Sequence, residues 1–290
     1  MPEVCVITGG GSGMGLAAAK FIKDRIVVIS GRTESKLEKA CAELAEAGVE
    51  AKFKTCDTSS RESVIELADY AASLGTIRQV INSAGVSPAM SMGNPEKLFR
   101  INALGTVYIN QEFSKRMGKG SVILDIASNS AYSLPGMATK PMKPLYKLAD
   151  KNESLFVKAF VKLAGLMKDD YLSAGMAYAY SKNFVTWYAA KSAFEYGPKG
   201  IRVASLSPGL ISTSLGEGEV EHGGDLINKT CEERMGTPEE LGYAIATAAD
   251  PRNGYLAGVD VLVDGGATRG NAEFKFDPLA PLKMAGIIKK

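Results

Sequence analysis

The chain has 290 residues, of which 46% are hydrophobic and 23% charged, and its 34 basic and 32 acidic residues leave a net charge of +2. This composition is typical of a globular protein with a large core. Because the basic and acidic residues nearly balance, the sequence shows no basic stripe that could bind a nucleic acid. No stretch approaches the ~18 apolar residues of a membrane span, and the first apolar run begins almost at Met1 without a signal-peptide pattern, so we expect a cytoplasmic protein with no membrane partner.

The cysteines and the histidine argue against a metal centre. Cys5, Cys41, Cys56 and Cys231 include no C-x-x-C pair, and His222 is the single histidine. A structural zinc site needs about four such ligands at regular spacing. We therefore predict reduced thiols and no metal site.

Short apolar runs alternate with helical patterns along most of the chain. The predicted strands are residues 4–8, 25–30, 49–55, 79–82, 121–127, 202–206 and 259–263. The predicted helices are residues 14–23, 34–47, 61–73, 95–117, 177–196 and 238–249. This alternation predicts an α/β fold in which a doubly wound parallel sheet of about seven strands carries helices on both faces. Ligands of such sheets bind beyond the carboxyl ends of the strands, so residues that follow each strand are the candidates for a site.

The turn after the first predicted strand is rich in glycine. Its sequence is Thr8-Gly9-Gly10-Gly11-Ser12-Gly13-Met14-Gly15. Glycines let the backbone approach a pyrophosphate closely, and the N-terminus of the following helix attracts the anion. We therefore expect a dinucleotide here, and a tight strand-to-helix connection without a ligand is the alternative. The expected contacts are Gly9, Gly11, Ser12, Gly13, Met14 and Gly15.

The residues after the second and third strands distinguish between dinucleotides. Ser30-Gly31-Arg32 contains no acidic residue to bind a ribose 2′-hydroxyl, whereas Arg32 with Thr33 can neutralise a 2′-phosphate. NADP(H) is therefore favoured over NAD(H), and a solvated loop charge is the alternative for Arg32. Asp57 can accept a hydrogen bond from an adenine amino group or cap the following turn.

Further motifs follow the glycine-rich turn in a fixed order. They are Asn82-Ser83-Ala84-Gly85, Asn102, Ser128, Tyr178-x-x-x-Lys182, Pro208-Gly209 and Val263-Asp264-Gly265-Gly266. Together with the T-G-x-x-x-G-x-G spacing of the turn, they make residues 1–270 resemble the classical short-chain dehydrogenase/reductase family, with Ser83 where the family has Asn. The resemblance implies a single-domain Rossmann fold, an NAD(P)(H)-dependent oxidoreductase that interconverts a ketone and a secondary alcohol, and a homo-oligomer, either a dimer or a tetramer.

The resemblance assigns catalytic roles to four side chains. Tyr178 would exchange a proton with the substrate, Lys182 would favour its phenolate, Ser128 would polarise the carbonyl and Asn102 would support a water relay. An unperturbed tyrosine has a pKa of about 10, so a cation four residues away on the same helix face would make it a better acid or base near neutrality. A plain helix face and a turn serine are the alternatives, and Ser130 and Ser133 lie near Ser128. The remaining cofactor contacts implied by the resemblance are Asn82, Ala84, Gly85, Pro208, Gly209 and Ile211, besides Tyr178 and Lys182.

The connection between Ser128 and Tyr178 is several times longer than is common in the family, which implies a helical insertion at about residues 134–176. Fifty positions separate the two residues. Residues 154–167 read as a helix whose apolar side must be covered by the domain, by another subunit or by a substrate. Similar extra sequence occurs in hydroxysteroid dehydrogenase/carbonyl reductases. The residues on the apolar side are Leu155, Phe156, Ala159, Phe160, Leu163 and Met167.

The sequence favours a bulky hydrophobic ketone or secondary alcohol, steroid-like in size. Methionine adapts to irregular apolar ligands, and core filling is the alternative for the five methionines near the predicted pocket. Residues 210–230 read as a mobile substrate lid, in which His222 is either a solvated loop residue or a substrate contact. The tail, residues 271–290, either packs on a neighbouring subunit or is disordered. The methionines are Met90, Met92, Met137, Met142 and Met176.

Two other functions stay open. One is the same chemistry on another substrate class, such as an acyl thioester, a polyol or a general xenobiotic carbonyl. The other is a cofactor-binding regulator without turnover, which would have no need for Tyr178, Lys182 and Asn102 together.

Overall fold

Seven parallel strands form one sheet in the order β3-β2-β1-β4-β5-β6-β7 in the computed structural model, which describes residues 1–91, 94–134, 139–167, 169–213 and 230–273. The strands are β1 (Glu3–Thr8), β2 (Ile26–Gly31), β3 (Ala51–Thr55), β4 (Thr76–Asn82), β5 (Ser121–Ile126), β6 (Ile201–Pro208) and β7 (Asp260–Val263). The order reverses direction between β1 and β4, as in doubly wound folds, and the predicted fold class is confirmed.

Helices cover both faces of the sheet. They are α1 (Gly13–Ala19), α2 (Glu34–Glu46), α3 (Arg61–Leu74), α4 (Pro95–Leu98), α5 (Gly105–Ser114), α6 (Lys143–Tyr146), α7 (Glu153–Ala164), α8 (Asp170–Tyr196), α9 (Pro238–Ala248) and α10 (Ala267–Glu273). A π-helical segment, Phe99–Leu104, joins α4 to α5. Within the described ranges, no helix is both long and apolar enough to cross a membrane.

The strands are buried from both sides, which explains their continuous apolar sequences. Val4 and Val6 of β1 belong to the hydrophobic cluster under α3, α5 and α8, whereas Cys5 and Ile7 belong to the cluster under α1, α2 and α9. Successive side chains of a strand point to opposite faces, so each strand supplies both clusters. The carboxyl ends lie level with one another, since Thr8 of β1 pairs with Asn82 of β4 and Asn82 pairs with Asp125 of β5.

Two predicted helices have different bounds in the structure. The helix expected at 95–117 is interrupted by the π-helical segment and ends at Ser114. The helix expected to begin at residue 177 begins at Asp170, because the Asp169 carboxylate caps it by accepting a hydrogen bond of 2.9 Å from the Leu172 N–H. Helix α8 therefore has about two helical turns before Tyr178.

Helix α7, in the long connection between Ser128 and Tyr178, is covered by the domain itself. Its Phe156 ring lies 4.9 Å from the ring of Phe184 on α8, and its Phe160 ring lies 5.4 Å from Tyr146 and 5.5 Å from Phe99 (ring centroids). These rings are fully buried and extend the core cluster under α8. Of the three possible covers for this helix, the structure shows the domain.

The buried side of α7 is not the predicted one throughout. Phe156 and Phe160 are buried as expected, but Val157 is buried too, whereas Leu155 and Met167 remain 48% and 38% exposed. The apolar sequence surrounds most of the helix, and the cap at Asn152 together with the aromatic cluster decides its rotation. Residues 214–229 of the predicted lid, with His222, and residues 274–290 of the predicted tail lie outside the described residues, as do Met92 and Met137.

Candidate active site

The glycine-rich turn between β1 and α1 packs too closely for side chains at three positions, Gly9, Gly10 and Gly15. Gly9 has a φ of +68°, and a Cβ atom there would lie 3.0 Å from the backbone of Ala84. A Cβ atom on Gly15 would lie 2.7 Å from the Gly9 carbonyl oxygen, so α1 can only start this close to β1 without a side chain. Gly13, with a φ of +57°, begins the helix. The turn is thus shaped by backbone, and it leads directly into the N-terminus of α1, the kind of position that attracts an anion.

A cavity of about 200 Å³ lies over this turn, and we call it the glycine-loop cavity. Arg32, Thr33 and Asp57 stand on its walls, at the ends of β2 and β3. Lys36, in the first turn of α2, also lines it and was missed by the sequence analysis, although its position four residues after Arg32 was a usable signal. Other expected contacts on its walls are Gly9, Gly11, Ser12, Ala84 and Gly85.

Charge is unevenly distributed around the glycine-loop cavity. Arg32 and Lys36 are exposed and bring two cations to one wall. Asp57 lines the cavity and also caps the turn after β3, because its Oδ1 accepts hydrogen bonds from the Ser59 N–H at 2.9 Å and the Ser59 hydroxyl at 2.7 Å. Both roles foreseen for Asp57 are therefore geometrically open to it.

A smaller cavity of about 70 Å³, the inner cavity, continues from the glycine-loop cavity past Gly85 toward α8. Tyr178, Lys182 and Ser128 stand on its walls together. They come from α8 and from the turn after β5, which are fifty residues apart in the chain. The expected contacts Met14, Gly85, Pro208, Gly209 and Ile211 also line it.

The Lys182 ammonium is held in place beside Tyr178. Lys182 is only 6% exposed, and its Nζ donates a hydrogen bond of 2.9 Å to the Ile126 carbonyl at the end of β5. The same Nζ lies 5.8 Å from the centroid of the Tyr178 ring. A cation at this distance favours the ionised form of a phenol.

Asn102 lies in the π-helical segment and binds the backbone after β4. Its Oδ1 accepts a hydrogen bond of 2.9 Å from the Val86 N–H, and its Nδ2 donates one of 3.0 Å to the Val86 carbonyl. Its Nδ2 also reaches the Ser181 hydroxyl at 3.4 Å, and that hydroxyl donates to the Tyr178 carbonyl at 2.8 Å. A Cβ atom on Gly85 would lie 3.2 Å from Asn102 Oδ1 and 3.5 Å from Lys182 Nζ, so Gly85 separates these two polar atoms.

Asn82 lies beneath the cavities, where its side chain joins three strand ends. Its Oδ1 accepts from the Thr8 hydroxyl at 2.9 Å, and its Nδ2 donates to Thr106 at 3.1 Å and to Asp125 at 2.9 Å. The Thr8 hydroxyl in turn accepts from the Ala84 N–H at 3.1 Å. The sequence analysis expected Asn82 at the cofactor, whereas its hydrogen bonds in the structure shape the wall from below.

Asp125 is a buried acid that the sequence analysis did not single out. It is fully buried in β5, its Oδ1 accepts a hydrogen bond of 2.9 Å from Asn82 Nδ2, and both of its oxygens accept from Asn110 Nδ2 at 2.9–3.0 Å. Burial raises the pKa of this carboxyl to about 7, against the opposing effects of the two amides and of Lys182. The acid therefore titrates near neutrality, within reach of the Lys182 charge.

Beyond Tyr178 the inner cavity meets a larger one of about 400 Å³, the outer cavity. Ser128 and Tyr178 line both, whereas Ser130 and Ser133 line only the outer cavity. The Ser128 hydroxyl accepts a hydrogen bond of 3.2 Å from the Ser130 N–H, which leaves its own proton for another acceptor. Other residues on the walls are Pro88, Tyr132, Tyr171, Gly175, Leu210, Thr230 and Thr268.

Two family profiles match adjoining parts of the chain. The one described as short chain dehydrogenase matches residues 3–139, and the one described as Enoyl-(Acyl carrier protein) reductase matches residues 146–268. The chain belongs to the short-chain dehydrogenase/reductase family. It is thus an oxidoreductase that acts on CH–OH groups with a nicotinamide dinucleotide, and the predicted enzyme class is confirmed.

Relatives of the family cover nearly the whole chain. The short-chain dehydrogenase/reductase bsc3 of Alternaria brassicicola is 28% identical over 275 residues, which are 92% of this chain and 96% of that protein. The 3-oxoacyl-[acyl-carrier-protein] reductase FabG of Chlamydia muridarum is 26% identical over 270 residues, 91% of this chain and 96% of that protein. Among solved structures, a short-chain dehydrogenase/reductase from Serratia marcescens superposes with a TM-score of 0.73 at 20% identity, covering 92% of this chain and 98% of that one.

The outer cavity contains further residues that the sequence analysis did not single out. Tyr171 and Gly175 come from the first turns of α8, which the sequence analysis did not predict as helix. Thr230 comes from a segment without a motif, and Thr268 lies two residues after Gly266, the last residue of the final motif. Of the methionines expected near the pocket, Met142 and Met176 pack against the core cluster and Met90 is 50% exposed.

Proposed function

We propose that this short-chain dehydrogenase/reductase interconverts a ketone and a secondary alcohol on a bulky, uncharged and largely apolar substrate such as a hydroxysteroid, with NADP(H) as the preferred cofactor. One observation carries the proposal. Tyr178 and Ser128 stand on the wall shared by the inner and outer cavities, and the Lys182 ammonium lies 5.8 Å from the centroid of the Tyr178 ring. A substrate in the outer cavity would therefore reach both hydroxyls with its reacting oxygen.

The residues around the turn fit a dinucleotide. A Cβ atom at Gly9 would crowd the Ala84 backbone, and the turn leads into the N-terminus of α1, which favours a pyrophosphate. When bound, the nicotinamide supplies or accepts the hydride. Gly9, Gly11, Ser12 and Met14 would hold the cofactor on one side.

The remaining candidate contacts lie in the same turn, at the ends of strands and along the inner cavity. They are Gly13, Gly15, Thr33, Asp57, Ala84, Gly85, Pro208, Gly209 and Ile211.

The protein's own part of the chemistry is the movement of a proton. In reduction, the Tyr178 hydroxyl gives its proton to the carbonyl oxygen while Ser128 donates a hydrogen bond to the same oxygen. Lys182, fixed by the Ile126 carbonyl, stabilises the phenolate that this leaves. In oxidation the same groups act in reverse. Asn102 holds the Val86 backbone after β4 through two hydrogen bonds, and it would support the relay that returns the proton.

The walls of the outer cavity support an uncharged substrate. Its described lining holds the rings of Tyr132 and Tyr171, the side chains of Pro88 and Leu210, and several hydroxyl groups, with no charged side chain among them. A volume of about 400 Å³ lies in the ordinary range for sites that enclose a whole small molecule. Hydroxyls can bind a second oxygen of the substrate without requiring a charge.

A second candidate function is the reduction of a 3-oxoacyl thioester. The similarity to FabG of Chlamydia muridarum favours it, since that protein is a 3-oxoacyl-[acyl-carrier-protein] reductase and covers the same length. The catalytic groups would be the same, so only the substrate can separate the two. Comparing steroid, aryl, sugar and acyl-thioester ketones with NADPH and NADH makes that separation, and activity confined to small polar ketones would contradict the first proposal.

Tyr178→Phe tests the catalytic assignment. Removing the hydroxyl removes the proton donor, so we expect kcat to fall by about 10²–10⁴-fold while cofactor affinity, measured by fluorescence titration, stays unchanged. Tyr180→Phe is the matched control, because Tyr180 is two residues away on α8 but packs in the core beside Phe160. Full activity of Tyr178→Phe would overturn the mechanism. A non-catalytic regulator would show no turnover in the wild type or in Tyr178→Phe.

A further inference from the structure

Three residues of α8 face the outer cavity in a line. Tyr171, Gly175 and Tyr178 are spaced four and three residues apart, which places them on one face of the helix. The rise of an α-helix separates the first from the last by about 10 Å along the axis. Among the described residues that α8 contributes to this wall, only Gly175 stands between the two tyrosines.

Gly175 has no conformational or packing reason to be glycine. Its φ is not positive, and among the described residues no atom lies within 4 Å of the position that a Cβ atom would take. Two other helix glycines are closely packed: a Cβ atom on Gly242 of α9 would lie 2.6 Å from Ala17, and one on Gly105 of α5 would lie 3.1 Å from Thr58. Gly270 of α10 is open like Gly175, but it does not line the outer cavity. Glycine lowers the stability of a helix interior relative to alanine, so an unforced glycine at a cavity wall indicates a need for space.

Tyr132 supplies another wall of the same cavity and is held by a partner on the sheet. Its hydroxyl donates a hydrogen bond of 2.6 Å to Asp260 Oδ2 of β7. The ring is thereby fixed, and its hydroxyl is directed to the sheet. The cavity thus has aromatic surfaces from Tyr132 and Tyr171, and the wall at Gly175 carries no side chain.

We propose that Gly175 sets the upper size of the substrate, whose rigid apolar body lies across the helix face between Tyr171 and Tyr178. This inference rests on the proposed function and names the residue that selects the substrate class. A broad ring system suits the space beside Gly175, because a flat apolar surface binds most favourably when it contacts aromatic side chains. Any side chain at position 175 projects into the space that the body occupies.

Gly175→Leu and Gly175→Ala test this role with two ketones, a tetracyclic steroid ketone and cyclohexanone, each assayed with NADPH. We expect Gly175→Leu to lower kcat/KM for the steroid by at least about tenfold, since misfit by a few methylenes in an apolar pocket has effects of this size. Cyclohexanone should keep its kcat/KM within about twofold, because it leaves position 175 uncovered. Gly175→Ala should give the same pattern with a smaller loss.

The variants should fold, because nothing described contacts position 175 and both residues favour helix. A melting temperature at or above that of the wild type checks this, and Leu172→Ala, at an exposed site on the same helix that does not line the cavity, is the control. An unchanged steroid-to-cyclohexanone ratio in Gly175→Leu, or an equal loss on both, overturns the inference while leaving the proposed function intact. A wild-type enzyme that reduces neither ketone contradicts the proposed function itself, and the inference falls with it.

Discussion

The glycine-loop cavity and the outer cavity are built in opposite ways. The walls of the first are the residues that directly follow β1 to β4, together with the start of α2, so the sheet places them through its register. The walls of the second come from the turn after β5, the first turns of α8, and positions 210, 230, 267 and 268. A site made of strand ends is local in sequence, whereas a site made of helix and loop surfaces is assembled by packing. Under the proposed function, the first would hold the cofactor and the second would hold the substrate.

Helix α7, in the connection between Ser128 and Tyr178, belongs to the core rather than to a separate cover. Glu153 at the start of α7 makes an ion pair of 3.1 Å with Arg61 of α3, and its other oxygen accepts a hydrogen bond of 2.6 Å from Tyr108 of α5. Phe156 and Phe160 fill the space between the π-helical segment and α8. The wall of the outer cavity is therefore supported by the same packing that stabilises the domain.

Phe160→Ala would break this comparison most strongly. The ring is fully buried against Phe99, Tyr146 and Tyr180, so its removal should lower the free energy of unfolding by about 3–5 kcal/mol. Urea unfolding followed by circular dichroism measures this. Leu155→Ala, at a half-exposed site on the same helix, should cost less than about 1 kcal/mol. Equal small losses in both would mean that α7 opens independently of the domain.

Asp125→Asn tests the buried acid that binds Asn82 and Asn110 beneath the cavities. The carboxyl has a pKa of about 7 in the folded protein, so between about pH 4 and pH 7 the folded state keeps a proton that the unfolded chain has lost. Folding then takes up a proton, and stability falls as the pH rises through this window, by at most about 4 kcal/mol. We expect the free energy of unfolding of Asp125→Asn to lose this dependence on pH.

Urea unfolding at pH 4.5, 6 and 7.5 measures the slope. Glu38→Gln, an exposed carboxyl on α2, is the control and should unfold with the slope of the wild type. If Asp125→Asn also kept that slope, the buried acid would not be the group that titrates.

Arg32→Ala sharpens the comparison on the cofactor side. A charge-assisted hydrogen bond to the 2′-phosphate contributes about 1.5–3 kcal/mol, so its loss should raise KM for NADPH by about 10–100-fold and leave KM for NADH unchanged. Steady-state kinetics with both cofactors measures the effect, and Lys39→Ala, exposed farther along α2, is the control. Lys36 on the same wall should retain part of the preference. A parallel rise for both cofactors would show that Arg32 does not read the 2′-phosphate.

The amino-acid sequence by itself determined the parallel sheet, the glycine-rich turn and the family, because these depend on alternating patterns and on motifs within a few residues. Tyr178 and Lys182 could be paired for the same reason, since four residues of helix bring them together. The early start of α8, the rotation of α7 and the buried acid Asp125 became clear only in the tertiary structure. Each depends on contacts between residues far apart in the chain, such as Phe160 with Phe99 or Asp125 with Asn82, and packing rather than local pattern decides which of several apolar or polar faces is used. The outer cavity, with Tyr171 and Gly175 on its wall, forms only when these distant parts of the chain pack together.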